Sequence, residues 1–97
     1  MVKPTRYTQE MYDEYFSKGY WTNETTSVIW DQNAEKYPDR EAFVDARTRL
    51  TWSQVKLLSD RLAFNLLKMG FKRDEFLFSL LPNCIESYLI RGACEKA

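Results

Sequence analysis

The sequence predicts an α/β fold of which this chain is the incomplete front portion: about four helices, a short hairpin and one buried strand within a larger layered domain. Three observations predict it. Residues 49–70 read as a strand end, a sharp entry, a long amphipathic helix and a clean stop. A second apolar run follows at residues 76–81, completing the strand-helix-strand order from which layered α/β folds are built. A last helical pattern then runs to Ala97, where a parallel strand would still lack its partner.

The elements follow in chain order. Thr8 is spaced to cap a short helix through Lys18, with Met11, Tyr12, Tyr15 and Phe16 on one face and Gly19 at its end. Tyr20-Trp21 falls in a loop, where two large aromatic rings need a surface to pack on. Thr25 starts a helix to Tyr37 with a stripe of Ile29, Trp30, Ala34 and Tyr37, and Pro38 stops it. Residues 41–45 form a short strand, which Arg47-Thr48 turns back onto Arg49-Leu50-Thr51. Thr51 and Gln54 have capping-box spacing, and Leu50 and Val55 that of a hydrophobic staple. Val55, Leu58, Leu62, Leu66 and Met69 make the helical stripe, closed by Gly70. Residues 75–81 are nearly all apolar, as in a strand covered on both faces. Asn83 and Glu86 are spaced as a cap and its third residue for a helix from Cys84, with Ile85, Leu89 and Ala93 on one face. Gly92 marks either close backbone packing or a weak spot there.

The 97 residues suffice for one small domain, and 44% hydrophobic content suffices for its core. Fourteen basic side chains balance fourteen acidic ones, so no electrostatic footprint for nucleic acid or an anionic membrane is visible. Residues 1–6 lead into polar sequence rather than the apolar core of a signal peptide, and no run approaches the ~20 apolar residues of a membrane helix. Two cysteines, Cys84 and Cys94, make no disulfide framework; ten residues apart on one helix they would lie ~15 Å from each other. A reducing, cytoplasmic compartment fits.

The order of short motifs resembles the amino-terminal end of adenylate-forming enzymes, the acyl- and aryl-CoA synthetase and AMP-ligase superfamily. The residues that carry the resemblance are Glu14-Tyr15-Phe16-Ser17-Lys18-Gly19-Tyr20-Trp21 and then Asn33-Ala34-Glu35-Lys36-Tyr37-Pro38-Asp39-Arg40-Glu41-Ala42-Phe43-Val44-Asp45. Arg49-Leu50-Thr51-Trp52-Ser53-Gln54-Val55, Asp60-Arg61-Leu62-Ala63, Met69-Gly70 and Leu81-Pro82-Asn83 with Glu86 continue it. The entry Lys18-Gly19-Tyr20-Trp21 is most similar to the branch acting on aryl acids. The resemblance implies that residues 1–97 are the amino-terminal part of the large amino-terminal domain, with residues 1–23 an aromatic-rich leader helix and loop within it. It further implies a parent enzyme using ATP, magnesium and coenzyme A. That enzyme would form an acyl-adenylate from a carboxylic acid and pass the acyl or aryl group to a thiol. The family's phosphate loop and catalytic lysine lie downstream of this region, so no catalytic, cofactor-binding or metal residue is carried over. The remainder of the ligase domain is the expected partner, and the 97 residues alone are expected to be inactive.

Sharper readings of single motifs fare worse than plain ones. Cys84 near a helix start favours a thiolate, but the chain has no histidine to serve as its base, and two cysteines without histidine make no zinc site. Ser53-x-x-Lys56 matches one of three motifs of penicillin-binding enzymes, without the other two, and a capping box explains it. Asp13, Glu14, Asp39, Glu41 and Asp45 read as solvated acids rather than a carboxylate pair. Met11, Tyr12, Tyr15, Phe16, Tyr20 and Trp21 read as a packing face rather than a stacking platform for nucleic acid. Two other classes stay open: a stand-alone protein-interaction module using that aromatic face, and a purely structural piece ordered by self-association into a homo-oligomer.

Overall fold

The computed structural model of the protein describes residues 6–97; residues 1–5, where most of the stretch read as free of a secretion signal falls, lie outside the described residues. The elements run α1 (Gln9–Ser17), α2 (Thr26–Lys36), β1 (Glu41–Val44), β2 (Arg49–Thr51), α3 (Trp52–Lys68) and α4 (Ile85–Lys96). Among the described residues, four helices and a two-stranded antiparallel hairpin make a mixed α/β unit, as expected of part of a domain. The hairpin pairs Phe43 with Leu50 and Val44 with Arg49, with an irregularity between Glu41 and Phe43. α3 packs against both α2 and α4.

Local chemistry explains most boundaries. The Thr8 and Thr25 hydroxyls accept from the N–H of Met11 and Val28 and cap α1 and α2. At α3 the box closes both ways: Gln54 N–H donates to Thr51 Oγ1 (3.3 Å) and Thr51 N–H donates to Gln54 Oε1 (2.9 Å). Leu50 and Val55, the staple pair, are buried in one cluster with Trp30 and Ile85. α3 stops in a Schellman motif. Gly70 N–H bonds Leu67 O and Phe71 N–H bonds Leu66 O, with Gly70 at φ +93°, where a Cβ is disfavoured. Phe71 then packs on the second cluster, Ala63, Leu66 and Ala93.

Three expectations need correction. The apolar run 75–81 is not a buried strand. It forms no strand and residues 76–81 have no backbone partner among the described residues, with Phe76, Phe78 and Leu80 almost wholly exposed. A nearly continuous apolar run reports that both faces want cover, not that the cover is supplied by the same 97 residues. The stripe of α3 is also rotated. Val55, Ser59, Ala63 and Leu66 are buried, while Leu58 is half-exposed and Met69 lies in solvent. Small residues at 59 and 63 let α2 and α4 approach closely, and that contact outweighs the burial of Leu58. On α2 the same holds for Ile29 and Tyr37, which are exposed; Ser27, Trp30 and Ala34 face inward. Finally, Asn83 does not cap α4. Cys84 holds the cap position without a side-chain bond, and the first N–H of the helix is satisfied from the hairpin instead.

Candidate functional site

Three groups of polar side chains hold α4, and they are the most built arrangements in the molecule. At its start, Asp45 Oδ1 accepts from the N–H of Arg47 (2.9 Å) and Thr48 (2.8 Å), closing the hairpin turn. Its Oδ2 accepts from Ile85 N–H at 3.2 Å, so one carboxylate serves a turn and a helix start forty positions away. The N–H of Arg47, then that of Ile85, hold the Asp45 carboxyl below its ordinary value of 3.8 against the opposing effect of burial. The folded value being the lower one, this contribution is present above the ordinary value and lost as pH falls through the lowered one. Asp45→Asn keeps an oxygen for the turn but offers no acceptor to Ile85. It should raise amide exchange at Ile85 while sparing Arg47 and Thr48, and remove this part of the acid dependence; unchanged exchange at Ile85 would contradict the assignment.

At the other end of α4, Glu95 Oε2 accepts from Ser27 N–H (2.9 Å) at the start of α2. Lys96 Nζ donates to Asp31 Oδ1 (2.8 Å), Asp60 Oδ1 (2.6 Å) and Ser59 Oγ (3.1 Å), and its side chain is only 12% exposed. Lys56 Nζ donates to Asp60 Oδ2 (2.6 Å) and lies 3.9 Å from Asp31. Burial would push the Asp60 carboxyl up, but hydrogen bonds from Lys56 and Lys96 win and hold it below its ordinary value. The bond to Asp60 in turn raises Lys56, against burial.

Between α2 and α3 runs a groove of about 650 Å³ lined by Asp31, Glu35, Ser53, Lys56, Leu57 and Asp60 among others. A cleft of about 450 Å³ lies between β1 and the start of α4, lined by Phe43, Asp45, Cys84 and Tyr88 among others.

The groove brings Ser53 and Lys56 together, yet their chemistry does not follow. A lysine that activates a serine must be neutral, and Lys56 is held protonated by Asp60 while Ser53 Oγ shares a hydrogen bond with Thr51. Cys84 is half-buried and free, as is Cys94, whose thiol is pushed up by burial. The acids serve separate tasks. Asp13 accepts from Gln9, Glu14 pairs with Lys18, Glu41 pairs with Arg49, and Asp45 caps. Trp21 collects the leader's aromatic rings, edge-on to Tyr7 at 5.0 Å and Tyr15 at 4.8 Å, leaving Tyr20 exposed. Among the described residues no group of three or more His, Cys, Asp or Glu is placed to hold a metal, and no helix is long and apolar enough to cross a membrane. The sequence reading missed the Lys96 network. Its one visible signal is Ser59, a hydroxyl inside an otherwise apolar stripe.

Comparison with known proteins supplies what these clefts do not. The family model described as AMP-binding enzyme matches residues 30–97. A salicylyl-CoA synthase / salicylate adenylyltransferase of a Streptomyces species is 35% identical over 92% of this chain, which spans 16% of that relative. A 4-coumarate–CoA ligase of Pinus taeda is 36% identical over 69% of the chain and 13% of its own length. A 2,3-dihydroxybenzoate-AMP ligase of Bacillus subtilis is 29% identical over 87% of the chain and again 16% of its own length. With the match running from Trp30 in the core to Ala97, one residue past α4, the chain belongs to the AMP-binding enzyme family.

Proposed function

We propose that the chain is the amino-terminal part of the large domain of an adenylate-forming acid–thiol ligase acting on an aryl acid, with residues 1–23 as its leader. In the whole enzyme a carboxylate would attack the α-phosphate of ATP, releasing pyrophosphate, and a thiol such as that of coenzyme A would then displace AMP. The observation that carries the reading is the 35% identity to the salicylyl-CoA synthase / salicylate adenylyltransferase over 92% of the chain. The outer side of α3 supports it. Leu57, Phe64 and Leu67 are exposed there, so the helix is apolar on a face opposite its buried one, as helices inside larger domains are.

The residues of this chain do not fit the nucleotide. Lys56, the cation of the larger groove, is already neutralised by Asp60, and Asp31 and Glu35 would face a triphosphate with like charge. No step of the reaction is assigned to this chain. Its work is to build a flank of the domain, in the cytoplasm, against the remainder of the ligase.

Acid-dependent exchange of pyrophosphate into ATP tests the reading. The 97-residue chain alone should give none. Put in place of the matching segment of the salicylyl-CoA synthase, it should restore salicylate-dependent exchange. A joined protein that folds and stays inactive with every aryl acid would overturn the proposal. It would favour instead a stand-alone interaction module using the leader, where Tyr7, Tyr12 and Tyr20 are exposed.

A further inference from the structure

Residues 7–21 keep their contacts to themselves. Trp21 stands edge-on to Tyr7 (5.0 Å between ring centroids), Tyr12 (6.2 Å), Tyr15 (4.8 Å) and Phe16 (6.2 Å). Tyr12 lies against Phe16 at 4.5 Å, and Tyr15 beside Tyr20 at 6.3 Å. The backbone closes the same piece. Thr8 caps α1, Gly19 turns at φ +75°, and the N–H groups of Tyr20 and Trp21 both bond Tyr15 O. Gln9 donates to Asp13 and Lys18 pairs with Glu14, both inside the helix or its cap. Among the described residues, no hydrogen bond, ion pair or ring contact joins this segment to the rest of the chain. None of its side chains belongs to either apolar cluster of the core.

From this geometry we infer that residues 7–21 are a conformational device: a strap closed by its own aromatic cluster, which opens and moves as one piece about Thr22 and Asn23 while α2, the hairpin, α3 and α4 stay folded. What flanks the joint sets its place. Before it, Trp21 N–H is tied back to Tyr15. After it, Thr25 caps α2 and Glu24 accepts from Gln32 of the same helix at 3.3 Å. The joint itself holds one exposed bond, from Glu24 N–H to Thr22 Oγ1 at 3.3 Å. Chain physics ranks the two units. A helix of nine residues is too short to hold in water by itself, so α1 stands only while the rings do. α1 buries none of its residues, whereas Trp30, Leu50, Val55 and Ile85 are buried together in the core. The strap is therefore the weaker unit and opens first, taking no contact from the core as it does. The division rests on contacts made inside each unit, not on the exposure of either, and does not depend on the ligase reading.

Amide exchange on the whole 97-residue chain tests the inference. The amides of Tyr12, Lys18, Gly19, Tyr20 and Trp21, all bonded within the strap, should exchange together and faster than those of α3. Trp21→Ala should strip them of protection and leave exchange in α3 unchanged. Gly92→Ala, which crowds the buried Trp30 ring, should speed the slowest α3 amides about thirty-fold and leave the strap's rates as they were. If that change unfolds the core outright, the strap's amides should still be protected. Protection at residues 12–21 that falls in step with α3 in Gly92→Ala would overturn the inference, as would an α3 that loses protection in Trp21→Ala. Chemical shifts give a second reading: Trp21→Ala should move the resonances of residues 7–22 alone, and changes that reach α3 or α4 would overturn the inference equally.

Discussion

Gly92→Ala is expected to destabilise the protein by about 2 kcal/mol, the opposite of what the same change does on an ordinary helix. A Cβ at this position would sit 2.8 Å from Trp30 Cη2, 2.9 Å from Cε3, and closest of all to Cζ3. Real side chains do not approach that closely, so the indole or the helix must move. The indole has nowhere to go. Trp30 is 7% exposed and holds Phe43 edge-on at 5.2 Å, and Phe43 contacts Trp52 and Tyr88 in turn. Overpacking of this kind costs typically 1–3 kcal/mol, and a rigid buried ring lies at the upper end; the better helix propensity of alanine returns about 1. Urea denaturation should show a midpoint lower by about 2 M at a slope of ~1 kcal/mol/M. A combined Gly92→Ala/Trp30→Leu protein should lose less than the sum of the two single changes, because removing the ring opens the space the methyl needs. Additive losses would mean that the contact is not what Gly92 protects.

Lys96→Met should cost about 1–2 kcal/mol at neutral pH, more than Lys56→Met, which should cost under about 1. Both lysines touch Asp60, so proximity does not separate them. Burial does: the Lys96 side chain is 12% exposed and that of Lys56 44%. Losing Lys96 leaves Asp31 and Asp60 facing each other, with only Lys56 between them, and leaves Ser59 Oγ without its cation. The discount from the larger cost of breaking a fully buried pair reflects the half-exposed carboxylates. The pH dependence has a definite sign. Asp60 titrates lower when folded, so its share is present above its ordinary value of 3.8 and fades as acid reaches the lowered one. Lys56 titrates higher when folded, so its share holds below 10.5 and fades as base passes the raised value. Denaturation midpoints across pH should therefore fall at both extremes, and Lys96→Met should flatten the acid side. Equal losses for the two lysines would remove burial as the deciding factor.

What the sequence made legible was local. The Thr51–Gln54 box, the Gly70 stop and the close approach at Gly92 are each written in residues within one turn of the feature, and each is present. What it hid was relational. Asn83 has the right chemistry for a cap, but the acceptor for Ile85 comes from Asp45 in a turn forty positions earlier, and no spacing rule reaches that far. Residues 76–81 announce a need for cover without saying whose backbone provides it, so a buried strand was the natural reading and an exposed one the result. The Lys96 network joins three helices through residues 31, 59, 60 and 96, and no spacing along the chain marks them as partners. As for a reaction centre, family motifs spoke where geometry did not: the match rests on the order of short segments along the chain, while the clefts hold charges already spent on one another.

Three of the attachments of α4, at Asp45, Lys96 and Gly92, respond to different solvents. Acid protonates Asp45 at the first turn and Asp60 beneath Lys96 at the last, yet leaves the contact of Gly92 with Trp30 untouched. Salt screens the half-exposed carboxylates and leaves the ring contact. Heat and chaotropes act chiefly on the ring contact. A single mild stress can therefore fray the helix from its ends or loosen it at its waist, but it takes two together to detach it.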